Sequence, residues 1–180
     1  MKQIKNYINE KLHITTKQQY TCHPKTKYEL YKIIIQRIEE DGLDCDLNDI
    51  DVSDITDMSG LFNANNNEIF KTFNGDISQW DVSNVTNMIC MFFKCEQFNC
   101  DLSKWDVSKV TDMYEMFMWC IKFNCDLSQW DVSNVNNMEM MFYWCKQFNC
   151  DLSKWNVSNV NKMNWMFENC PTQPKWYKYK

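Results

Sequence analysis

The side chains best suited to chemistry are the cysteines and aspartates, and both recur at a fixed step. Cys95, Cys120, Cys145 and Cys170 are 25 residues apart, while Cys45, Cys100, Cys125 and Cys150 each precede an aspartate, with Gly75 standing where the second copy would have its cysteine. Cys-x-x-x-x-Cys links the two ladders three times, at the upper edge of zinc-ligand spacing, but the two histidines of the chain, His13 and His23, lie outside the repeats. Thiols set by a repeat answer to packing before tetrahedral geometry, and Cys packs as a small hydrophobe. Stacked core thiols are the expectation, with disulfides between neighbouring copies the alternative.

Asp76, Asp101, Asp126 and Asp151 form one acidic column and Asp81, Asp106 and Asp131 a second, which Asn156 interrupts. Like charges in a column either share cations or bond backbone N–H groups. Each of these aspartates sits beside Ser or Asn, and no Gly-rich calcium nonapeptide is present, so turn capping is expected and no metal or cofactor. Nothing suggests an enzyme. A catalytic cysteine needs a nearby base, phosphate loops need glycines, and the chain has only Gly42, Gly60 and Gly75. Carboxylates repeat as a lattice instead of forming one singular pair.

The net charge of −5 is unevenly distributed: residues 44–170 carry −11, and both flanks are basic. Such a body repels phosphate backbones, which argues against nucleic-acid binding. With three Gly, three Pro and 44% hydrophobic residues the chain reads as folded. No apolar run suggests a membrane span, and the charged N-terminus lacks the apolar centre of an export signal, so a cytoplasmic location is expected.

These residues must be positioned by a small set of elements. In residues 1–25, Ile4, Tyr7, Ile8 and Leu12 describe a short amphipathic helix followed by a linker. Residues 26–43 form a second helix: Thr26 and Glu29 make a capping box, Leu30, Ile33, Ile34 and Ile38 line one face, and Gly42 ends it. This helix is expected to cap the open end of the periodic region beyond it. From residue 44 to 170 the chain repeats, with Trp80, Trp105, Trp130 and Trp155 keeping a step of 25. That makes about five coils, the first divergent and carrying an insertion near 63–72, before a tail at 171–180. A period in the twenties signals a solenoid, in which each unit buries its apolar face only against its neighbours. Within a unit, Met113, Met116, Phe117 and Cys120 follow i, i+3, i+4, i+7 and predict two turns of helix, whereas Leu102, Trp105 and Val107 turn inward from extended stretches.

The motif read from Trp80, WDVSNVTNMxxMFxxCxxFNxDLSxW, resembles the repeat of BspA-type leucine-rich-repeat surface proteins, a repeat also catalogued as a mycoplasma domain of unknown function. The resemblance covers roughly residues 23–170. With the periodicities it implies an α/β fold: a right-handed leucine-rich-repeat-like solenoid of 25-residue strand–turn–short-helix coils behind an N-terminal capping helix. It also implies non-catalytic binding of a protein partner, with surface adhesion or a structural, virion-associated role as alternatives that would place the chain outside the cytoplasm.

Positions that vary between copies mark where a partner would bind. Phe93, Tyr114, Trp119, Tyr143, Trp144 and Trp165 fall where the predicted helix pitch turns away from the core. Exposed aromatics in one patch mark interaction surfaces.

Overall fold

The computed structural model describes residues 19–178, so the amphipathic segment expected near the N-terminus lies outside the described residues. Helix α1 spans Lys27–Asp41. The Thr26 side chain accepts from the Glu29 amide, the Glu29 carboxylate accepts from the Lys25 amide at 2.7 Å, and Gly42 ends the helix at φ +90°. Leu30, Ile34 and Ile38 are buried in the common core, while Ile33 packs only at its margin. Polar groups tie α1 to the first coil. Arg37 pairs with Asp49, and Lys27 Nζ reaches Asp57 at 2.7 Å and the Ser59 carbonyl at 3.1 Å. Residues read as linker also belong to this end, because Cys22 pairs in parallel with Ile50.

Beyond α1 the repeats lie one upon the next in register. Parallel bridges join Asp57 to Asn87, Asn87 to Asp112, Asp112 to Asn137 and Asn137 to Lys162. Inside, Phe62, Phe92, Phe117, Phe142 and Phe167 stack face to face at 5.4, 5.4, 5.7 and 5.5 Å. A second column, Phe73, Phe98, Phe123 and Phe148, runs beside it at 6.0–6.1 Å spacing. Fully burying each such ring contributes roughly 1.5–3 kcal/mol. The tryptophans bring a polar atom inside and satisfy it across coils. The indole N–H of Trp105 donates to the Ile77 carbonyl at 3.2 Å, that of Trp130 to Leu102 at 3.0 Å and that of Trp155 to Leu127 at 2.9 Å.

The segment expected to be a short helix is not one. Met88–Met91 and Phe92–Cys95 are successive four-residue turns, each closed by an i→i+3 bond of 3.2 and 3.0 Å, with φ +53° at Cys90 and +60° at Lys94. Their first and last residues point inward, and this also yields i, i+3, i+4, i+7 spacing. Four other amides of these turns leave the coil altogether. Met88, Cys90, Phe92 and Lys94 donate to the carbonyls of Asp112, Tyr114, Met116 and Met118 at 2.8–3.0 Å. A residue in the left-handed region cannot continue a right-handed helix, and these amides find better partners in the next coil. Extended segments are likewise reduced to isolated bridges.

Within these turns every backbone bond between coils runs from an earlier N–H to a later C=O, so carbonyls are left at one end and amides at the other. At the first end Lys27 meets the Ser59 carbonyl. At the last, the Tyr177 hydroxyl accepts from the Met166 amide at 3.1 Å, and its buried ring stands edge-on to Phe167 at 5.1 Å. Trp176 donates to the Leu152 carbonyl at 2.9 Å, the role the repeat tryptophans play in earlier coils.

The cysteine ladders belong to this framework. The Cys95, Cys120 and Cys145 thiols are fully buried and donate to the Phe62, Phe92 and Phe117 carbonyls, each at 2.9 Å. In the second ladder, Sγ of Cys100, Cys125 and Cys150 accepts the amides of Ile77, Leu102 and Leu127 at 3.1–3.4 Å. All ten cysteines are free thiols. Gly75 replaces a cysteine for a steric reason: a Cβ there would lie 2.6 Å from the Phe73 ring and 2.8 Å from the Cys45 carbonyl.

Candidate binding face

The face that varies between copies is built from the two outer corners of each pair of turns. Ile89, Tyr114, Glu139 and Asn164 start the first corner, with Cys90, Glu115, Met140 and Trp165 at its left-handed position. Phe93, Met118, Tyr143 and Glu168 start the second, whose left-handed position is held by Lys94, Trp119, Trp144 and Asn169. Trp119, Trp144 and Trp165 therefore carry φ of +64°, +62° and +54°. Such a conformation in a bulky residue is costly without compensation. It also projects the indole away from the core, since its own amide is committed to the next coil: Trp119 N–H donates to Tyr143 and Trp144 N–H to Glu168 at 2.8 and 2.9 Å.

The structure sorts the six predicted residues into separate settings. Trp119 and Trp144 stack at 4.4 Å and 14°, and Lys146 Nζ lies 4.5 Å from the centroid of Trp144. Tyr143 and Trp165, the latter 49% exposed, line a surface cavity of about 440 Å³ with Met118, Met140 and Glu168. Tyr114 sits beside Glu115, and hydrogen bonding to that carboxylate followed by burial pushes its phenol up to about 12. Glu115 also accepts from the Cys90 thiol at 3.4 Å, and Cys90 is raised to about 12, by burial first and then by Glu115. Phe93 is only 8% exposed, so it serves the fold at the core's edge and offers little ring to a partner.

Sequence reasoning missed the contribution of the first coil's insertion. Its 3₁₀ turn, Glu68–Lys71, is capped by Asn67 and projects beside the tryptophan column. It closes one side of a cavity of about 530 Å³ lined by Ala64, Glu68, Lys71, Lys94, Glu96 and Trp119, among others. Lys71 pairs with Glu96 at 3.5 Å, and Lys94 Nζ donates to the Asn65 side chain at 3.2 Å. The signal was present, in that the extra residues fall immediately after the turns of one coil.

The aspartate columns occupy other faces and act as turn caps. Asp76, Asp101, Asp126 and Asp151 each accept the amide two residues on at 2.9 Å, and Asp81, Asp106 and Asp131 do the same at 3.0–3.1 Å. The Ser103 hydroxyl and amide hold Asp101 below the usual carboxylate range. Among the described residues no cluster of three or more His, Cys, Asp or Glu is arranged to hold a metal ion. Nor is any helix there long and apolar enough to cross a membrane.

Coils stacked at one register, with aromatic side chains on the outer corners of their turns, define a repeat-stack protein. The model of the family described as mycoplasma protein of unknown function, DUF285, matches residues 35–118 and 56–176, and the chain belongs to that family. No curated protein and no solved structure matches it.

Proposed function

We propose that the chain is a non-catalytic protein-recognition module: a leucine-rich-repeat-type solenoid, akin to the BspA-type repeats, whose turn face binds a polypeptide partner. The observation that carries this reading is the Trp119–Trp144 pair, stacked at 4.4 Å on left-handed backbone and partly open to solvent. The equivalent positions accept Lys94 and Asn169, so the fold does not demand an indole there. Strain retained at a position where a smaller residue would serve points to the side chain's outward role. Large, rigid aromatics supply much of the energy of protein interfaces. The acidic body, at −11 over residues 44–170, favours partners that are not themselves acidic and disfavours nucleic acid.

The test is a Trp119→Asn/Trp144→Asn double variant, asparagine being at ease at positive φ. A partner isolated with the wild-type chain and then purified is expected to bind the variant at least ten-fold more weakly, about 1.4 kcal/mol, while the melting temperature holds. Equal affinity for both would refute the reading.

A further inference from the structure

The corner beside the insertion has a chemistry specific enough to say what it takes, on the reading that the turn face binds a polypeptide. Trp119 presents one ring face to Trp144, and beyond Trp144 lies the Lys146 ammonium. Every other residue lining the 530 Å³ cavity belongs to the coils before Trp119, so the cavity meets the indole face turned away from Trp144. In the two preceding layers the column offers no ring. Lys94 is drawn aside onto Asn65 at 3.2 Å and over the Phe93 ring at 5.3 Å, and Ala64 is too short to fill the space. The stack of rings thus ends at an open layer walled by the Glu68–Lys71 turn.

Charge narrows the occupant. Lys71 is paired with Glu96, Lys94 bonds a neutral amide, and Glu68 has no ion-pair partner among the described residues. The lining sets two ammonium groups against two carboxylates, so its charged side chains sum to zero and select neither a cation nor an anion. A flat, uncharged ring continues the stack at the spacing already present, and an N–H or O–H at its tip finds an acceptor in Glu68. We infer that the corner between the Glu68–Lys71 turn and the open face of Trp119 receives the tryptophan or tyrosine side chain of a partner polypeptide.

The experiment titrates the ¹⁵N-labelled full chain with N-acetyl-L-tryptophanamide and N-acetyl-L-tyrosinamide, alongside N-acetyl-L-lysinamide and methyl β-D-glucopyranoside. A single ring is expected to bind with Kd on the order of 1 mM, shifting the Trp119 indole N–H and the Ala64 and Lys71 amides together. Glu68→Ala should weaken this about ten-fold, and Trp119→Asn should remove the shifts at Ala64 and Lys71. No saturable shift up to about 20 mM of either aromatic probe, or stronger shifts with the lysine or sugar probe, overturns the inference. Its failure is distinct from that of the recognition reading: partner capture that still depends on Trp119 and Trp144 would survive a corner that binds neither ring.

Discussion

Eight non-glycine residues with positive φ fall at two places in each of the four coils after the first, from Cys90 and Lys94 through Trp165 and Asn169. Each costs on the order of 1–2 kcal/mol, and the inter-coil bonds they allow offset that cost. The first coil has Gly60 at the corresponding place, at φ +63°, where an added Cβ would approach the Asn66 amide to 3.3 Å. Gly60→Ala should therefore lower stability by about 1 kcal/mol in urea unfolding, with unchanged slope. The thiols give a second residue-scale expectation. Burial pushes Cys100 up to about 12 and Cys125 and Cys150 to about 11. Raised folded pKa values mean that these groups stay neutral at pH 8 and release protons preferentially from the unfolded chain as pH rises. Labelling by a thiol reagent should accordingly keep accelerating between pH 9 and about 11, whereas an ordinary thiol, half-ionised near pH 8.5, levels off about a unit above that, and stability should fall over the same range. A plateau near pH 9 would contradict the placement of these side chains.

At the scale of elements, the residues that could be read from sequence were those whose period has one structural meaning. The capping box and apolar stripe of α1 specified a helix because Thr26, Leu30, Ile34 and Ile38 satisfy helical caps and burial at once. The run from Met113 to Cys120 has an equally good helical spacing, but consecutive four-residue turns bury the same residues, and periodicity alone cannot separate the two. The tail was harder still. Trp176 and Tyr177 match no repeat position in sequence, and only the register of the last coil shows that one supplies an indole donor and the other an acceptor. Tyr177→Phe keeps the ring against Phe167 but removes the acceptor of the Met166 amide, so it should cost about 1–3 kcal/mol. Hydrogen exchange should report it as faster exchange at Met166 with little change at Phe92 or Phe117, and uniform protection in the variant would contradict the cap.

For the whole molecule, the stack's inner columns and its outer face are made by one device. Turns that place Phe and Met inside must place their third residue in the left-handed region outside, which is how Trp119 and Trp144 come to face solvent. The variable outer positions were legible as a set because the inner ones repeat so strictly. The corner cavity was not, since it depends on where an insertion in one coil lies relative to a side chain two coils later. The most direct check of this arrangement is the through-hydrogen-bond scalar coupling of the Trp119 amide nitrogen, measured by NMR. Stacked turns predict coupling to the carbonyl carbon of Tyr143, whose oxygen lies 2.8 Å from that nitrogen. Coupling to the carbonyl of Glu115, as a helix would give, would contradict the account.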